Sequence, residues 1–246
     1  MLQISKIKAI TLDLDDTLWP IWPTIERAET ALTQWLGRNA PGAAVLLADP
    51  PMRLKLRDQV LRTRPDIAHN MSAVRCELIR LALHRCHEDA RLAEPAFEVF
   101  FEHRMKVDLF VDALPALAFL AERFPVVALS NGNADVHRVG IGTYFRGSVS
   151  AHEFGVGKPD RRIFDAGAAM AGVAPHEVLH VGDDGALDVL GGLNAGMQTV
   201  WLNRDAHAWP HAVLPHVTVT DLMQLCALLE PGFEVSPARS PRAGAV

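Results

Sequence analysis

Cysteine is scarce in this chain of 246 residues: Cys76, Cys86 and Cys226 show no metal-ligand spacing, and an odd number leaves one unpaired. That argues against a disulfide framework and for buried or inert thiols. Nothing in the sequence suggests a membrane span. The opening stretch Met1-Leu2-Gln3-Ile4-Ser5-Lys6-Ile7-Lys8 lacks the apolar core of a secretory signal, so a cytoplasmic location is the expectation. Excess positive charge is missing too: 24 Lys and Arg stand against 29 Asp and Glu, a net charge of −5, which speaks against general nucleic-acid affinity. Low-complexity composition, rich in Pro, Ala, Ser, Gly and Arg, is confined to 231–246 and reads as a flexible tail. The rest, with a 49% hydrophobic and 22% charged composition overall, has the makings of a globular protein with a real core, in one large domain or two smaller ones.

What is present begins with Asp13-Leu14-Asp15-Asp16-Thr17-Leu18, directly after the apolar run Ile7-Lys8-Ala9-Ile10-Thr11-Leu12. The run favours a buried strand, and ligands of open parallel sheets bind at the carboxyl ends of their strands. Residues two apart on an extended chain point the same way. Asp13 and Asp15 therefore face one site if the strand persists and are re-aimed if a turn intervenes. One carboxylate can then act as a nucleophile while the other handles a proton. Taken alone, the pattern is equally a helix cap or an Asx-turn. Three further elements follow in order: Leu129-Ser130-Asn131-Gly132-Asn133 after Pro125-Val126-Val127-Ala128, Gly157-Lys158-Pro159 before a helical pattern, and Val181-Gly182-Asp183-Asp184 after Val178-Leu179-His180. Each lies at a strand exit or a helix entrance, and each gains meaning from the others.

Periodicity separates the chain into unlike parts. From about 22 to 106 there is almost no strand signal; helices are predicted over 24–36 (ended by Gly37), 52–61 (halted by Pro65), 71–84 and 95–105, a four-helix insertion. Afterwards helices over 114–123, 160–171, 186–195 and 222–229 alternate with strands over 126–129, 178–181, 198–201 and 216–219, the pattern of a parallel sheet with right-handed crossovers. The expected fold class is α/β, a doubly wound, Rossmann-like core over 1–18 and 108–232, with a helical-bundle domain inserted over 19–107 and a tail over 233–246.

In order and context the four elements resemble the motifs of the haloacid dehalogenase-like hydrolases: an Asp-x-Asp pair, a Ser or Thr, a Lys, and a terminal acidic group. The likeness runs over roughly 7–230. It implies a phosphatase of the branch with a helical cap after the first motif, acting on a small phosphorylated metabolite. Asp13 would be the nucleophile and Asp15 the acid and then base, through an aspartyl-phosphate. A carboxylate attacking an anionic ester needs a positive counterweight, and Mg²⁺ supplies it through carboxylates, phosphate and water. By resemblance Asp13, Asp183 and the backbone carbonyl of Asp15 hold the ion. Lys158 adds a second positive charge beside the phosphoryl group. Ser130, with backbone N–H groups around Asn131 and Gly132, holds phosphate oxygens, and Thr17 supports the first motif's turn on the substrate side. Asp188 is expected to orient Lys158 or a metal-bound water. Asp184 is either a second ligand or a helix cap, and Asp16 is structural.

The remaining polar residues read more plainly. His84 and His87 have no third partner and form a polar helix face, and His180 packs beside the last motif. Arg53, Lys55, Arg57, Arg62 and Arg64 are a solvated basic face, with the alternative that one of them, or Arg75 or His69, reaches an anionic substrate. Trp19, Trp22 and Trp35 are packing residues, Trp19 lying near enough to the motif to touch substrate. The first motif and the insertion's size resemble phosphatases of small metabolites, including one of riboflavin synthesis that acts on a ribitylaminouracil intermediate. A sugar phosphomutase, a 2-haloacid dehalogenase and a non-catalytic binding protein are the alternatives. Self-association leaves no trace separable from ordinary packing.

Overall fold

Strand β1 (Ala9–Leu12) forms where Ala, Ile, Thr and Leu follow one another, and all four are buried, as in a strand covered on both faces. The computed structural model describes residues 2–230, and the expected tail lies outside the described residues. After β1 the chain leaves for a helical insertion of α1 (Ile21–Asn39), α2 (Pro41–Ala48), α3 (Pro50–Thr63), α4 (Met71–Arg85) and α5 (Ala93–Arg104). It returns through α6 (Ala113–Arg123), β2 (Val126–Ser130), α7 (Val136–Val139), β3 (Gly147–Ser150), α8 (Ala151–Phe154) and α9 (Arg161–Ala171). The last part comprises β4 (Val178–Gly182), α10 (Gly191–Asn194), β5 (Gln198–Leu202), β6 (Val217–Val219) and α11 (Leu222–Leu229).

All six strands are parallel, in the order β3-β2-β1-β4-β5-β6. The chain steps outward from β1 through β2 to β3, then crosses back to lay β4 on the other flank of β1. That reversal is the point at which doubly wound sheets hold their ligands. Side chains alternate between two layers, as the period of two requires. Ile10, Leu12, Leu179 and Val181 pack with Leu117 and Leu120 of α6 and Leu222 and Leu225 of α11. Ala9, Val127, Leu129 and Val178 pack with Ile163, Phe164 and Ala168 of α9.

The insertion has an apolar cluster of its own, built from Leu32 and Leu36 of α1, Leu47 of α2, Leu56 and Val60 of α3, Leu78 and Ile79 of α4, and Phe100 of α5. It holds five helices where four were expected. The additional one, α2, is Pro-Gly-Ala-Ala-Val-Leu-Leu-Ala and has no polar face to reveal a period. Its amino end is satisfied from afar, by the Glu88 carboxylate accepting from the N–H groups of Gly42 and Ala43, both at 2.8 Å. Helix α1 runs through Gly37 to Asn39. A helical glycine costs about 1 kcal/mol, and burial of Leu36 against the cluster outweighs it.

Two further differences lie in the sheet domain. Strand β3 is the Gly-Ser-Val-Ser edge beside β2, too short and too polar to read as a strand. The helix expected over 186–195 is a π-helical turn, Gly185–Leu190, followed by the short α10. Among the described residues no helix is long and apolar enough to cross a membrane.

Leu32, 2% exposed, lies in the insertion's cluster. Leu32→Ala is expected to cost about 2–5 kcal/mol, read as a lower urea midpoint with an unchanged slope. A midpoint that does not move would show that this cluster contributes nothing to the stability of the whole.

Candidate active site

The carboxyl ends of β1, β2 and β4 bring the motif residues together. Asp13 follows β1, with its N–H donating to Val181 O at 2.9 Å, while Ser130 ends β2 and Asp183 follows β4. One cavity is lined by Asp13, Asp15, Ser130, Asn131, Gly132, Lys158, Asp183, Asp184, Leu187 and Asp188. Of the residues expected at the site only Thr17 is missing from that lining. It is fully buried, and its hydroxyl donates to Asp183 Oδ1 at 3.2 Å; Thr17 thus orients an acidic group and does not face a substrate.

Lys158 is the centre of the charge network. Its Nζ donates to Asp13 Oδ1 and to Asp188 Oδ1, each at 2.6 Å, and all three side chains are largely buried. Asn131 fixes the lysine's backbone: its Oδ1 accepts from Lys158 N at 2.6 Å and its Nδ2 donates to Lys158 O at 2.8 Å. Both polar ends of that amide are thereby committed. Ser130 Oγ accepts from Gly132 N at 3.0 Å, closing the tight turn beside Asp13.

Asp188 is held from behind. His180 Nε2 lies 3.0 Å from Asp188 Oδ1 and His180 Nδ1 lies 2.9 Å from Thr11 Oγ1, all within the sheet domain's interior. Burial lowers the His180 pKa even though the Asp188 hydrogen bond favours the charged form. A neutral ring with the proton on Nε2, accepting from Thr11 at Nδ1, satisfies both contacts. The π-helical turn aims Asp188 inward, as such turns do at functional sites. Gly182 makes the approach possible, since a Cβ there would sit 2.2 Å from Asp188 Cγ. Asp184, left open between ligand and cap, is a cap: it is exposed, and its Oδ1 accepts from Ala186 N and Leu187 N, both at 2.8 Å. Asp16 is structural, with Oδ1 accepting from Ile21 N at 2.9 Å.

Asp13, Asp183 and Asp188 each offer one oxygen within 4.8 Å of the others. Burial pushes the Asp13 carboxyl well above the usual range, an effect only partly offset by Lys158. Burial, then Asp188 and Asp16, push Asp183 to about 7. For Asp188 burial acts in the same direction, but Lys158 and His180 outweigh it and hold the group at about 2. The set consists of hard oxygen donors with no thiolate or imidazole among them, and it carries more negative charge than one lysine offsets. It fits a hard divalent cation such as Mg²⁺.

Asp15 has partners that the sequence did not announce. Arg104, at the end of α5, donates through Nη2 to Asp15 Oδ1 at 2.5 Å and Oδ2 at 2.8 Å. Trp19 is fully buried and donates through Nε1 to Asp15 Oδ1 at 2.8 Å, so it contacts the carboxylate and is not a substrate-facing ring. A signal for Arg104 did exist. It continues the buried stripe Ala93, Ala96, Phe100 of α5, and a charge on an apolar stripe marks a buried pair.

A second cavity, about 280 Å³, lies in the insertion between α1, α3, α4 and α5 and is lined by Arg53, Arg57, Arg75, Glu29 and Phe100, with Asn133, next to Gly132, at its edge. Asn133 Nδ2 donates to Ser72 Oγ of α4 at 3.1 Å, which ties the phosphate-side turn to the insertion. Arg75 pairs with Glu29 and stacks on Phe100, 4.1 Å from the ring centre. Of the other cationic candidates, Lys55, Arg62, Arg64 and His69 do not line this cavity.

The raised carboxyls give a stability prediction. A carboxyl with a higher pKa in the fold than in the unfolded chain binds more protons when folded, so its stabilisation is present at low pH and lost as pH rises through the folded value. For Asp183 that window runs from the ordinary carboxylate range to about 7. Asp188, held low, acts only below it. With chelator present, the melting temperature is expected to fall between pH 5 and pH 8. Mg²⁺ should flatten the fall by favouring the ionised site, and Asp183→Asn should remove the Asp183 share and leave that of Asp13. A flat profile without metal would contradict the arrangement.

The chain is similar to known proteins over most of its length. A family model described as haloacid dehalogenase-like hydrolase matches residues 7–196. A 5-amino-6-(5-phospho-D-ribitylamino)uracil phosphatase of Escherichia coli, YigB, is 30% identical over 234 residues, covering 92% of this chain and 98% of that protein. A phosphoserine phosphatase of Thermus thermophilus is 29% identical, covering 89% and 98%. Among solved structures, a 2-haloacid dehalogenase from Pseudomonas syringae pv. tomato superposes with a TM-score of 0.86 at 36% identity, covering 91% of this chain and 98% of that one. On its motifs, its sheet and these matches, the chain belongs to the haloacid dehalogenase-like hydrolases.

Proposed function

We propose that this hydrolase cleaves small phosphate monoesters through a phosphoryl group carried by Asp13, with Mg²⁺ as its metal and the helical insertion as the cap that selects the leaving group. The observation that carries the reading is the cluster of Asp13, Asp183 and Asp188, with Lys158 bound to Asp13 and Asp188 and with Asp15 two residues from the nucleophile. We assign the ion to Asp13, Asp183 and the carbonyl of Asp15. Asp188 belongs to the same cluster, but its Oδ1 accepts from Lys158 and His180 and its Oδ2 from Asp184 N, which suits it to hold the lysine. When bound, the ion supplies charge neutralisation between the nucleophile and the ester's phosphate.

In the first step an Asp13 oxygen bonds to phosphorus, the phosphorus–alkoxide bond breaks, and Asp15 delivers a proton to the leaving oxygen. Lys158 and the Ser130 turn neutralise and hold the equatorial oxygens. In the second, water loses a proton to Asp15 and bonds to phosphorus. The bond to Asp13 breaks with its electron pair returning to the carboxylate, and inorganic phosphate leaves.

For substrate, the match to YigB spans nearly that whole protein and so includes the region of the insertion. The insertion's cavity joins an apolar floor to three guanidinium groups and one carboxylate. A sugar or polyol phosphate whose far end is a polar ring rich in acceptors suits such a lining, and 5-amino-6-(5-phospho-D-ribitylamino)uracil is the substrate we propose to test first. The structural likeness to a dehalogenase gives the second reading. Displacement of halide from carbon needs neither a proton donor at Asp15 nor a carboxylate cluster that gathers a cation.

The test is phosphate release from a panel of monoesters that includes this one, with and without Mg²⁺, alongside halide release from 2-haloacids. Metal-dependent phosphate release is expected, lowered at least about a thousandfold by Asp13→Asn and about 10²–10⁴-fold by Asp15→Asn. Halide release without phosphate release would overturn the reading. A companion variant, Asp184→Ala, is expected to lose about 1 kcal/mol of stability as a lost cap while its Mg²⁺ requirement stays as in the native protein. A weakened requirement would make Asp184 a ligand after all.

A further inference from the structure

Arg104 is a buried cation, 1% exposed, and its surroundings do not account for it as a packing residue. Burying a guanidinium costs several kcal/mol, and an apolar side chain of similar volume commonly serves stability as well or better. Here the burial is incomplete even as a pairing, since Nη1 is enclosed and has no partner among the described residues. Among those residues, the hydrogen bonds of the guanidinium all run from Nη2 to the two oxygens of Asp15.

The Asp15 carboxylate is held asymmetrically. Oδ1 accepts two donors, Arg104 Nη2 and Trp19 Nε1. Oδ2 accepts one, from Arg104 Nη2 at 2.8 Å. Oδ2 is also the oxygen turned toward the Ser130 turn: a Cβ placed on Gly132 would lie 2.5 Å from Asp15 Oδ2, 3.3 Å from Ser130 Oγ and 3.6 Å from Arg104 Nη2. Glycine at 132 is what lets the carboxylate and the turn approach. The two donors come from the two crossings between insertion and sheet, Trp19 just before α1 and Arg104 at the end of α5.

We infer that Arg104, assisted by Trp19, is a positioning residue that presents Asp15 Oδ2 to the water that discharges Asp13. The inference rests on the phosphatase reading above. The step is balanced: the water's proton passes to Asp15 Oδ2, its oxygen bonds to phosphorus, the bond to Asp13 breaks toward the carboxylate, and the proton later goes to the next leaving alcohol. Without Arg104 the carboxylate keeps one weak anchor and loses its aim. The deficit falls on the water step, because a good leaving group departs from phosphorus without a proton while the attacking water still needs a base.

Para-nitrophenyl phosphate is therefore the probe, because its phenolate leaves unprotonated and reports the first step by colour. In rapid-mixing experiments with Mg²⁺, Arg104→Met is expected to release one equivalent of nitrophenolate per enzyme in a burst and then turn over about 10²-fold more slowly than the native protein. Asp15→Asn should give the same burst, and the Arg104→Met, Asp15→Asn double variant should lose no further activity, since the two residues act as one unit. Trp19→Phe, which removes one N–H and little volume, should show the same burst with a loss of about tenfold, and it keeps the idea testable if Arg104→Met does not fold. A uniform loss without a burst, or losses that multiply in the double variant, would reduce Arg104 to a structural residue and leave the phosphatase reading intact. Asp13→Asn without a burst confirms that the trapped group sits on Asp13. Native protein that releases no phosphate from any ester overturns both readings together.

Discussion

Charge crowding at the junction of β1 and β4 is the constraint on which the rest of the site depends. Two like charges near the separation of the Asp13, Asp183 and Asp188 oxygens, within 4.8 Å, repel by roughly 3 kcal/mol even at an effective dielectric constant of 20. Lys158 lies against Asp13 and Asp188, and with all three carboxylates ionised the cluster keeps a net negative charge. The fold meets this by distributing roles: Asp188 stays ionised against Lys158 and His180, whereas Asp13 and Asp183 are left with raised affinity for a proton. The same excess is what a divalent cation would relieve, so one electrostatic imbalance explains the perturbed carboxyls, the buried lysine and the expected metal.

Holding that imbalance in place requires rigidity from several directions. Asn131 fixes the Lys158 backbone at both its N–H and its carbonyl, and Thr11 fixes the ring of His180, which in turn fixes Asp188. Those anchors lie on the sheet or at its strand ends, where parallel hydrogen bonding keeps the spacing between β1 and β4 constant. The insertion works by different rules. Its cavity sets arginine side chains around an apolar floor, with Arg53 and Arg75 paired to Glu29. A phosphate end built on the sheet and a far end built on the insertion suit a scaffold in which the chemistry stays the same while the alcohol varies.

This division also explains what could be read from the sequence. The strand-exit motifs were legible because each couples a local structural pattern to a chemical one: Asp13 after an apolar run, Lys158 before a helix, Asp183 after another run. The choice between ligand and cap for Asp184 and the orienting role of Thr17 were not, because each is decided by which neighbours fold back upon it. Helix α2 stayed hidden because its capping group, Glu88, lies more than forty residues away in sequence, and β3 because an edge strand needs little apolar character. Arg104 was missed for a subtler reason. A single arginine in a helix reads as a solvated charge, and only its register with Ala93, Ala96 and Phe100 shows that it faces inward.

A TM-score of 0.86 to a dehalogenase and a full-length match to a phosphatase describe one scaffold, on which the two chemistries separate. The separation lies in what the scaffold does with charge. A haloacid brings a carboxylate and releases a halide that needs no proton. A site crowded with Asp13, Asp183 and Asp188 would repel that carboxylate unless a cation were present, and a cation would weaken Asp13 as a nucleophile toward neutral carbon. A phosphate ester brings more negative charge still, but a cation held by Asp13 and Asp183 would neutralise part of it. It also needs a proton moved in each half of the reaction, and Asp15, gripped by Arg104 and Trp19, is a carboxylate held in one orientation beside the reacting centre. Halide leaves without a proton, so an acid at Asp15 has no task in its departure, whereas the proposed phosphoryl transfer would use Asp15 twice.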